Sequence, residues 1–415
     1  MRNKVAGVKL ARIACAAACL WTAAAIAQVT APTPALRDEL VVSLRAAQEL
    51  LAGRKYAEAL AQLAVTDGIA AKTAVETYFV ERLRAAAASG AGDTQQATRS
   101  LEAVLASGQT PRPEQPALIE ALAAGHYNLK HYAEAALWAG RYFEEGGANA
   151  DVRLMMAQSF YLSGDFRSAV RELLVLQRAQ LAAGVNTPES QLDMLAGSYI
   201  KLQDDVGYMQ VLEQLLRSYP RVDYWADLLV RLERRPGFSG ALVIDLFRLQ
   251  FAANALGEAS EYLELAQLAV QSGYLAEAMK VLDAGFAAGV LGKGADADKH
   301  ARYRLQVGER TLAEFKALDM PDRQPSSAND ADALFKLGYV WFTQGRNDAG
   351  RALMQQALDA GQMSRPAQAR LRLGAAHAQA GNKPKARELL QAAQAASDTD
   401  GTADLARLWG ILVAR

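Results

Sequence analysis

The most constraining feature of the sequence is a faint repeat of small and large apolar residues, with a mean step of about 36 residues. The repeat recurs about ten times between residues 46 and 373 and is plainest near the end of the chain. There, one step separates Leu337, Gly338, Trp341, Gly345, Met354 and Ala357 from Leu373, Gly374, His377, Gly381, Leu390 and Ala393. One helical hairpin cannot bury its apolar stripe alone, so hairpins with this pattern stack on their neighbours. The sequence therefore predicts an all-α, right-handed helical-hairpin solenoid of about ten repeats.

Helical periodicity begins at Leu36 and continues almost to Arg415, without the alternation of β-branched residues that would indicate strands. Alanine is abundant and prolines are few, which favours helices. Glycine allows the positive φ at which many helices end. The first helix of a pair is expected to end at Gly53, Gly92, Gly164, Gly273, Gly345 and Gly381.

The first 27 residues form a separate segment. Basic residues precede Ile13, an uncharged apolar stretch runs to Ile26, and the small residues Ala25 and Ala27 flank a cleavage position. This order predicts a Sec-type signal peptide and a periplasmic protein, with no membrane span in the mature chain. Cleavage would also remove both cysteines. An uncleaved N-terminal anchor stays open as the alternative.

The composition along the chain predicts a further division. A linker at 28–35 precedes an N-terminal repeat array at 36–318. Residues 319–330 are rich in Pro, Ser and Asp, which indicates either a hinge or a long loop between two repeats. C-terminal repeats and a capping helix are expected at 331–415.

The sequence offers little sign of catalytic or metal chemistry. His126 and His131 lie five residues apart, which is not the spacing that directs two histidines of one helix to a metal. The glycines around Lys293 lack the strand and helix that flank a phosphate-binding loop. Formal net charge is zero, so no basic excess attracts nucleic acid. We therefore expect no catalytic residues, no metal, no cofactor and no nucleic-acid partner.

The spacing of one repeat resembles that of the tetratricopeptide repeat (TPR) family. Its residues are Leu334, Leu337, Gly338, Trp341, Gly345, Met354 and Ala357. Gly350 stands where that family prefers alanine, one small residue in place of another. Weaker copies extend the resemblance over about 340 residues. The resemblance implies a superhelix whose inner groove is lined by first helices and holds extended or helical peptides.

Carried onto this sequence, the resemblance implies a set of outward-facing binding candidates. They are Tyr127, Met155, Tyr161, Phe335, Lys336, Tyr339 and Phe342. Phe335, Tyr339 and Phe342 are spaced i, i+4 and i+7, so they share one helix face, and Lys336 stands beside it. Exposed aromatics next to a cation suit a peptide groove. The alternative, that they pack against a neighbouring repeat, stays open.

These observations predict a non-catalytic interaction scaffold with a protein or peptide partner in the cell envelope. The stretch at 219–225 also resembles periplasmic TPR proteins that accompany TonB-type systems, one option beside envelope assembly, polysaccharide export and transport. A second class stays open: a helical-toroid enzyme for cell-wall or polysaccharide substrates, which requires two carboxylates facing one cleft. A third is a soluble domain that binds through its convex face. The oligomeric state is also open.

Overall fold

The computed structural model describes residues 36–318, 330–396 and 399–415. In these ranges the chain forms twenty α-helices and no strand, which confirms the predicted all-α class of helical hairpins. The predicted signal peptide and the linker at 28–35 lie outside the described residues.

The first ten helices are α1 (Asp38–Ala52), α2 (Tyr56–Ala64), α3 (Ala74–Ala91), α4 (Thr94–Ala106), α5 (Gln115–Asn128), α6 (Tyr132–Glu144), α7 (Ala150–Ser163), α8 (Phe166–Ala182), α9 (Glu189–Leu202) and α10 (Asp205–Ser218). The other ten are α11 (Val222–Glu233), α12 (Val243–Ala252), α13 (Ala259–Ser272), α14 (Leu275–Ala287), α15 (Ala297–Leu318), α16 (Ala331–Thr343), α17 (Asn347–Asp359), α18 (Pro366–Gln379), α19 (Lys383–Gln394) and α20 (Thr402–Val413).

The chain divides into two compact units between Tyr208 and Met209. In unit 1, α1/α2, α3/α4, α5/α6 and α7/α8 are antiparallel hairpins, and the second helix of each packs on the first helix of the next. In unit 2, α13/α14, α16/α17 and α18/α19 form hairpins, α15 packs on α14, and α20 packs on α19. Neighbouring hairpins therefore cover one another within each unit, as the repeat predicts.

The turn between α7 and α8 shows how a short sequence fixes a hairpin. Gly164 ends α7 with φ +88°, a value at which a side chain would be strained. The carboxylate of Asp165 then accepts the backbone N–H of Ser168 at 3.1 Å and caps α8. Helix α1 also ends at Gly53, as predicted, but Gly53 has φ −79° and the positive φ of 56° lies at the next residue, Arg54.

The two helices of the hairpin α16/α17 touch through glycines. A methyl group placed on Gly350 would lie 2.5 Å from the backbone nitrogen of Phe342 and 2.6 Å from the carbonyl oxygen of Gly338. One placed on Gly338 would lie 2.8 Å from the carbonyl oxygen of Gly350. Gly350 is therefore not equivalent to the alanine that the family prefers, because the backbones approach too closely for any side chain.

One large hydrophobic core runs through unit 2 from α12 to α19. It includes Leu282 of α14, Tyr339 of α16 and Leu373 of α18, so helices on both sides of the predicted linker at 319–330 share it. Residues 319–329 lie outside the described residues, and their role as a hinge stays a prediction. Unit 1 instead contains smaller cores, which lie in α1–α3, α3–α5 and α5–α7.

The C-terminal helix brings the beginning and the end of unit 2 together. Arg407 of α20 pairs with Glu213 of α10 at 2.9 Å, and Arg235, just after α11, pairs with Asp404 at 2.6 Å. The backbone N–H of Ser239 also donates to the carbonyl oxygen of residue 400 at 2.8 Å. The last helix of this unit therefore covers its first helices as well as its own neighbour α19. The repeat pattern alone did not predict this contact.

Candidate functional site

The predicted aromatic group on α16 lies on one helix face, but that face is buried. Phe335, Tyr339 and Phe342 are 5%, 4% and 9% exposed, so the expectation that they face outward is wrong. Lys336 is exposed. The Tyr339 ring packs edge-on against Tyr274 with 4.8 Å between the ring centres. Side chains from α12 and α14 occupy the space that the resemblance assigned to a peptide.

A buried cluster of charges fills this part of unit 2. The guanidinium of Arg248 lies 4.5 Å from the ring centre of Tyr339 and pairs with Asp245 at 2.8 Å and Glu277 at 2.6 Å. Arg372 of α18 binds the other side of Asp245 at 2.8 Å. Burial alone would raise the pKa of Asp245, but the two guanidiniums outweigh it and hold this pKa below its usual value. The cluster contains two carboxylates and two guanidiniums, so its charges balance.

This cluster also bears on the enzyme alternative. Glycoside hydrolysis requires one carboxyl group that keeps its proton near neutral pH and a second that is ionised. Asp245 is ionised and accepts hydrogen bonds from two arginines. Glu277 accepts hydrogen bonds from Arg248 and from the Tyr339 hydroxyl, the second at 3.3 Å. The pair is therefore arranged to neutralise arginines inside a core, which differs from an acid and a base facing a cleft.

In unit 1, the predicted residues Tyr127 and Tyr161 lie half-buried at matching positions of α5 and α7. The Tyr127 hydroxyl donates to Oε1 of Gln158 on α7 at 3.1 Å. The Tyr161 hydroxyl lies over Gly197 of α9, within 2.8 Å of where a β-carbon would be. Each tyrosine therefore bridges its own first helix to the next one. Met155 is only 2% exposed and packs in the core of α5–α7, so its predicted outward position is wrong.

A second surface of unit 1 is a groove of about 860 Å³ over α6, α7 and α8. Its apolar part is formed by Trp138, Phe143, Met156 and Phe160. Leu137 of α6, at its edge, is 72% exposed. Sequence reasoning missed this groove. The signal was present, because Leu137 and Trp138 are large apolar residues beside the buried face of α6 that Ala135, Ala136, Ala139 and Tyr142 define.

Arginines line the same groove. The guanidinium of Arg153 lies 4.0 Å from the ring centre of Phe143, and that of Arg141 lies 5.4 Å from Trp138. Arg153 and Arg171 share the carboxylate of Glu172, at 2.6 and 2.9 Å. Among the described residues, no carboxylate lies within ion-pair distance of Arg141. The lining holds three arginines and two glutamates, so the groove combines large apolar side chains with one net positive charge.

Within 36–318, 330–396 and 399–415, no three His, Cys, Asp or Glu side chains are grouped as metal ligands. Among the helices in the described part of the chain, none has both the length and the apolar content that crossing a membrane requires.

Stacked helical hairpins with an open aromatic groove define a helical-repeat protein. The family model of the tetratricopeptide repeat matches residues 299–362 and 335–401, which include α15 to α19. The matched segment therefore carries tetratricopeptide repeats, as the resemblance predicted, and repeats of this family suggest a scaffold for protein–protein interaction.

The chain is also similar to solved structures. Yeast Tom70 is 10% identical with a TM-score of 0.24, over 91% of this chain and 96% of that one. The TPR domain of P58(IPK) is 14% identical with a TM-score of 0.21, over 90% and 98%. Naa15/Naa10 bound to HypK-THB is 14% identical with a TM-score of 0.30, over 88% and 59%. Such TM-scores carry no argument about what this chain binds. No curated protein matches the sequence.

Proposed function

We propose that this protein is a non-catalytic scaffold that binds a segment of a protein partner in the groove over α6, α7 and α8. The observation that supports this proposal is the combination of Trp138 and Phe143 with arginines that lie against their rings. Aromatic and arginine side chains are enriched among the residues that dominate binding energy at protein interfaces. Polar rims around an apolar centre are also typical of such interfaces.

The chemistry of the groove specifies the partner segment. An apolar side chain of the partner would cover Trp138 and Phe160, and burying one such side chain stabilises a complex by roughly 1.5–3 kcal/mol. The net positive charge of the lining favours a carboxylate near that apolar residue. Arg141 is the group to receive it, because Arg153 and Arg171 already share Glu172. We therefore propose a partner segment with at least one large apolar residue and a neighbouring Asp or Glu.

The tyrosine face of α5 and α7 is a second candidate surface. Tyr127 and Tyr161 lie on it, and Leu162 and Ile200 are exposed large apolar residues near the ends of α7 and α9. This face corresponds to the groove that the family resemblance implies for first helices. Peptide binding by the tyrosine face stays a prediction. Peptide binding by the exposed Lys336 in unit 2 also stays a prediction. Substitutions on the two surfaces of unit 1 separate these candidates.

The location of the protein is part of the proposal. The basic residues before Ile13 and the small residues around position 26 support export and cleavage after Ala27. The partner would then be a protein of the cell envelope, in a transport or assembly system. Cell fractionation and N-terminal sequencing test this: a mature chain that begins at Gln28 in the periplasmic fraction is expected. Cytoplasmic protein that keeps its first residues would contradict it.

A photo-crosslinking amino acid at Leu137 tests the groove directly, because this exposed position lies at its edge. Irradiation should capture a partner, and peptide mapping of the product should show an apolar residue next to an acidic one. Trp138→Ala and Arg141→Glu should each lower the yield at least about fivefold, since one lost anchor costs roughly 1–3 kcal/mol of binding free energy. Arg99→Glu on α4 and Leu181→Ala on α8 are matched exposed controls.

The same assay distinguishes the two surfaces. Unchanged capture by Trp138→Ala and Arg141→Glu, with capture lost in Tyr127→Ala or Tyr161→Ala, would assign binding to the tyrosine face. Circular dichroism of every variant shows whether the helices remain folded. Because Tyr127 and Tyr161 bridge neighbouring helices, the conservative variants Tyr127→Phe and Tyr161→Phe accompany them.

A further inference from the structure

Helix α15 in unit 2 has two different apolar faces. One face packs against α14 and the loop before α15 and includes the buried residues His300, Val307 and Thr311. The other carries Ala301, Leu305, Gly308 and Leu312, spaced by four, three and four residues. Leu305 and Leu312 are 65% and 64% exposed, which is unusual for two leucines one above the other on a helix. With α14 they border an open groove of about 600 Å³.

The second face has the pattern of a helix–helix seam. Apolar residues spaced alternately by three and four residues form the line along which two helices pack in a coiled coil. Along this seam, the large residues Leu305 and Leu312 alternate with the small residues Ala301 and Gly308. A β-carbon placed on Gly308 would meet only the flexible end of Met279, at 3.8 Å, so the surface above Gly308 is a notch. A helix packed on this seam would therefore need a large side chain opposite Gly308.

We propose that a second copy of this chain binds here, with the two α15 helices antiparallel about a two-fold axis between Leu305 and Gly308. This arrangement places Leu305 of each copy opposite Gly308 of the other, and Leu312 opposite Ala301. Large residues then meet small ones at every position of the seam. A two-fold contact of this kind is closed, since the same surface is used by both copies.

The charges beside the seam fit the same arrangement. At 100° per residue, Asp298, Arg302, Glu309 and Lys316 all lie along the solvent edge of the seam. In the antiparallel pair, Arg302 of one copy lies beside Glu309 of the other, and Asp298 lies beside Lys316. Each contact joins opposite charges and occurs twice, whereas a parallel pair would place each residue beside its own copy. Among the described residues, Arg302 and Glu309 have no ion-pair partner within the chain.

Sedimentation equilibrium of the full chain measures this association. A dimer is expected at micromolar concentrations of the chain, the weak end of the affinities that protein interfaces reach. Leu312→Glu should raise the dimer dissociation constant at least about tenfold, because it places two carboxylates in an apolar seam. Leu181→Glu on α8, which is 62% exposed and far from α15 in the sequence, is the matched control and should leave it unchanged.

A charge exchange tests the antiparallel arrangement itself. Arg302→Glu and Glu309→Arg should each weaken the dimer about tenfold, because each creates two like-charge contacts. The double variant Arg302→Glu/Glu309→Arg should return the dissociation constant to within about threefold of the original. The proposal is overturned by a monomer at every concentration, by a dimer that Leu312→Glu leaves intact, or by a double variant as weak as the single ones. Circular dichroism confirms that each variant keeps its helices.

Discussion

Arg372 of α18 holds Asp245 of α12 with two nitrogen atoms, at 3.0 Å from Nε and 2.8 Å from Nη2 to Oδ2. The two residues are 127 positions apart in the chain. Both belong to unit 2, and their contact links a late hairpin to a helix near the start of that unit. Asp245 is buried and depends on Arg372 and Arg248 for its charge. This pair therefore tests how far unit 2 depends on contacts that are distant in the sequence.

We expect Arg372→Ala to lower the free energy of unfolding of unit 2 by about 3–5 kcal/mol, because it leaves a buried carboxylate with one of its two partners removed. Chemical denaturation followed through the fluorescence of Trp225 and Trp409, both buried in this unit, measures the change. Arg387→Ala on α19, an exposed arginine, is the control and should cost less than about 0.5 kcal/mol. A loss below about 1 kcal/mol for Arg372→Ala would show that the pair does not hold unit 2 together.

Tyr339 should behave as a core residue, in contrast to the binding role that its position in the repeat implies. Tyr339→Ala is expected to cost about 3–5 kcal/mol of stability, because it leaves a cavity beside Tyr274 and Arg248. Tyr339→Phe removes only the hydrogen bond to Glu277 and should cost about 1 kcal/mol. Lys336→Glu, at an exposed position, should change stability by less than about 0.5 kcal/mol. Thermal unfolding of the three variants should show the largest loss of stability for Tyr339→Ala and the smallest for Lys336→Glu. A Tyr339→Ala protein of unchanged stability would contradict this expectation.

Gly350→Ala should destabilise the α16/α17 hairpin although alanine is the better helix former. The added methyl group would overlap the backbone of Phe342 and Gly338, which can move only by separating the helices, so a cost of about 1–3 kcal/mol is expected. Gly140 of α6 is the matched control, because nothing lies within 4 Å of its β-carbon position. Gly140→Ala should stabilise α6 by about 0.5–1 kcal/mol. Equal effects of the two substitutions in denaturant unfolding would refute the close approach of α16 and α17.

Glu76 makes the stability of unit 1 depend on acid pH. Its hydrogen bond with Arg37 and its bond from the Thr73 backbone lower the pKa of Glu76 from 4.5 to about 2. Because the pKa of the folded state lies below that of the unfolded state, this stabilisation is complete above pH 4.5 and is lost as pH falls towards 2. Glu76→Gln should cost about 1–2 kcal/mol at neutral pH through the lost ion pair with Arg37, because a glutamine at this position can still close the capping box with Thr73.

Unfolding of the original protein and of Glu76→Gln, measured between pH 7 and about pH 2, checks this sign. The difference in unfolding free energy between the two proteins should shrink as the pH falls. A difference that stays constant over this range would mean that the carboxylate of Glu76 titrates in the same way in the folded and in the unfolded state.

The predicted binding residues show which part of a site a repeat pattern can locate. The spacing of Phe335, Tyr339 and Phe342 correctly placed them on one face of α16, because helix geometry is local. Whether that face is open depends on Arg248 and Tyr274, which lie more than sixty positions earlier in the chain. Periodicity contains no information about such neighbours. The groove at Trp138 was missed for a related reason, because its walls come from three helices.

The sequence by itself determined that the chain forms stacked helical hairpins, because apolar periodicity, glycine turns such as Gly164 and N-capping residues such as Asp165 act over a few residues. Only the tertiary structure decided which faces remain open. Asp245 and Arg372 had to meet across the chain before the α16 face could be filled, and α14 had to cover one side of α15 before Leu305 and Leu312 could be left exposed on the other. Burial depends on which elements pack against each other in space. That packing decides which charged residues pair and which apolar faces are removed from water.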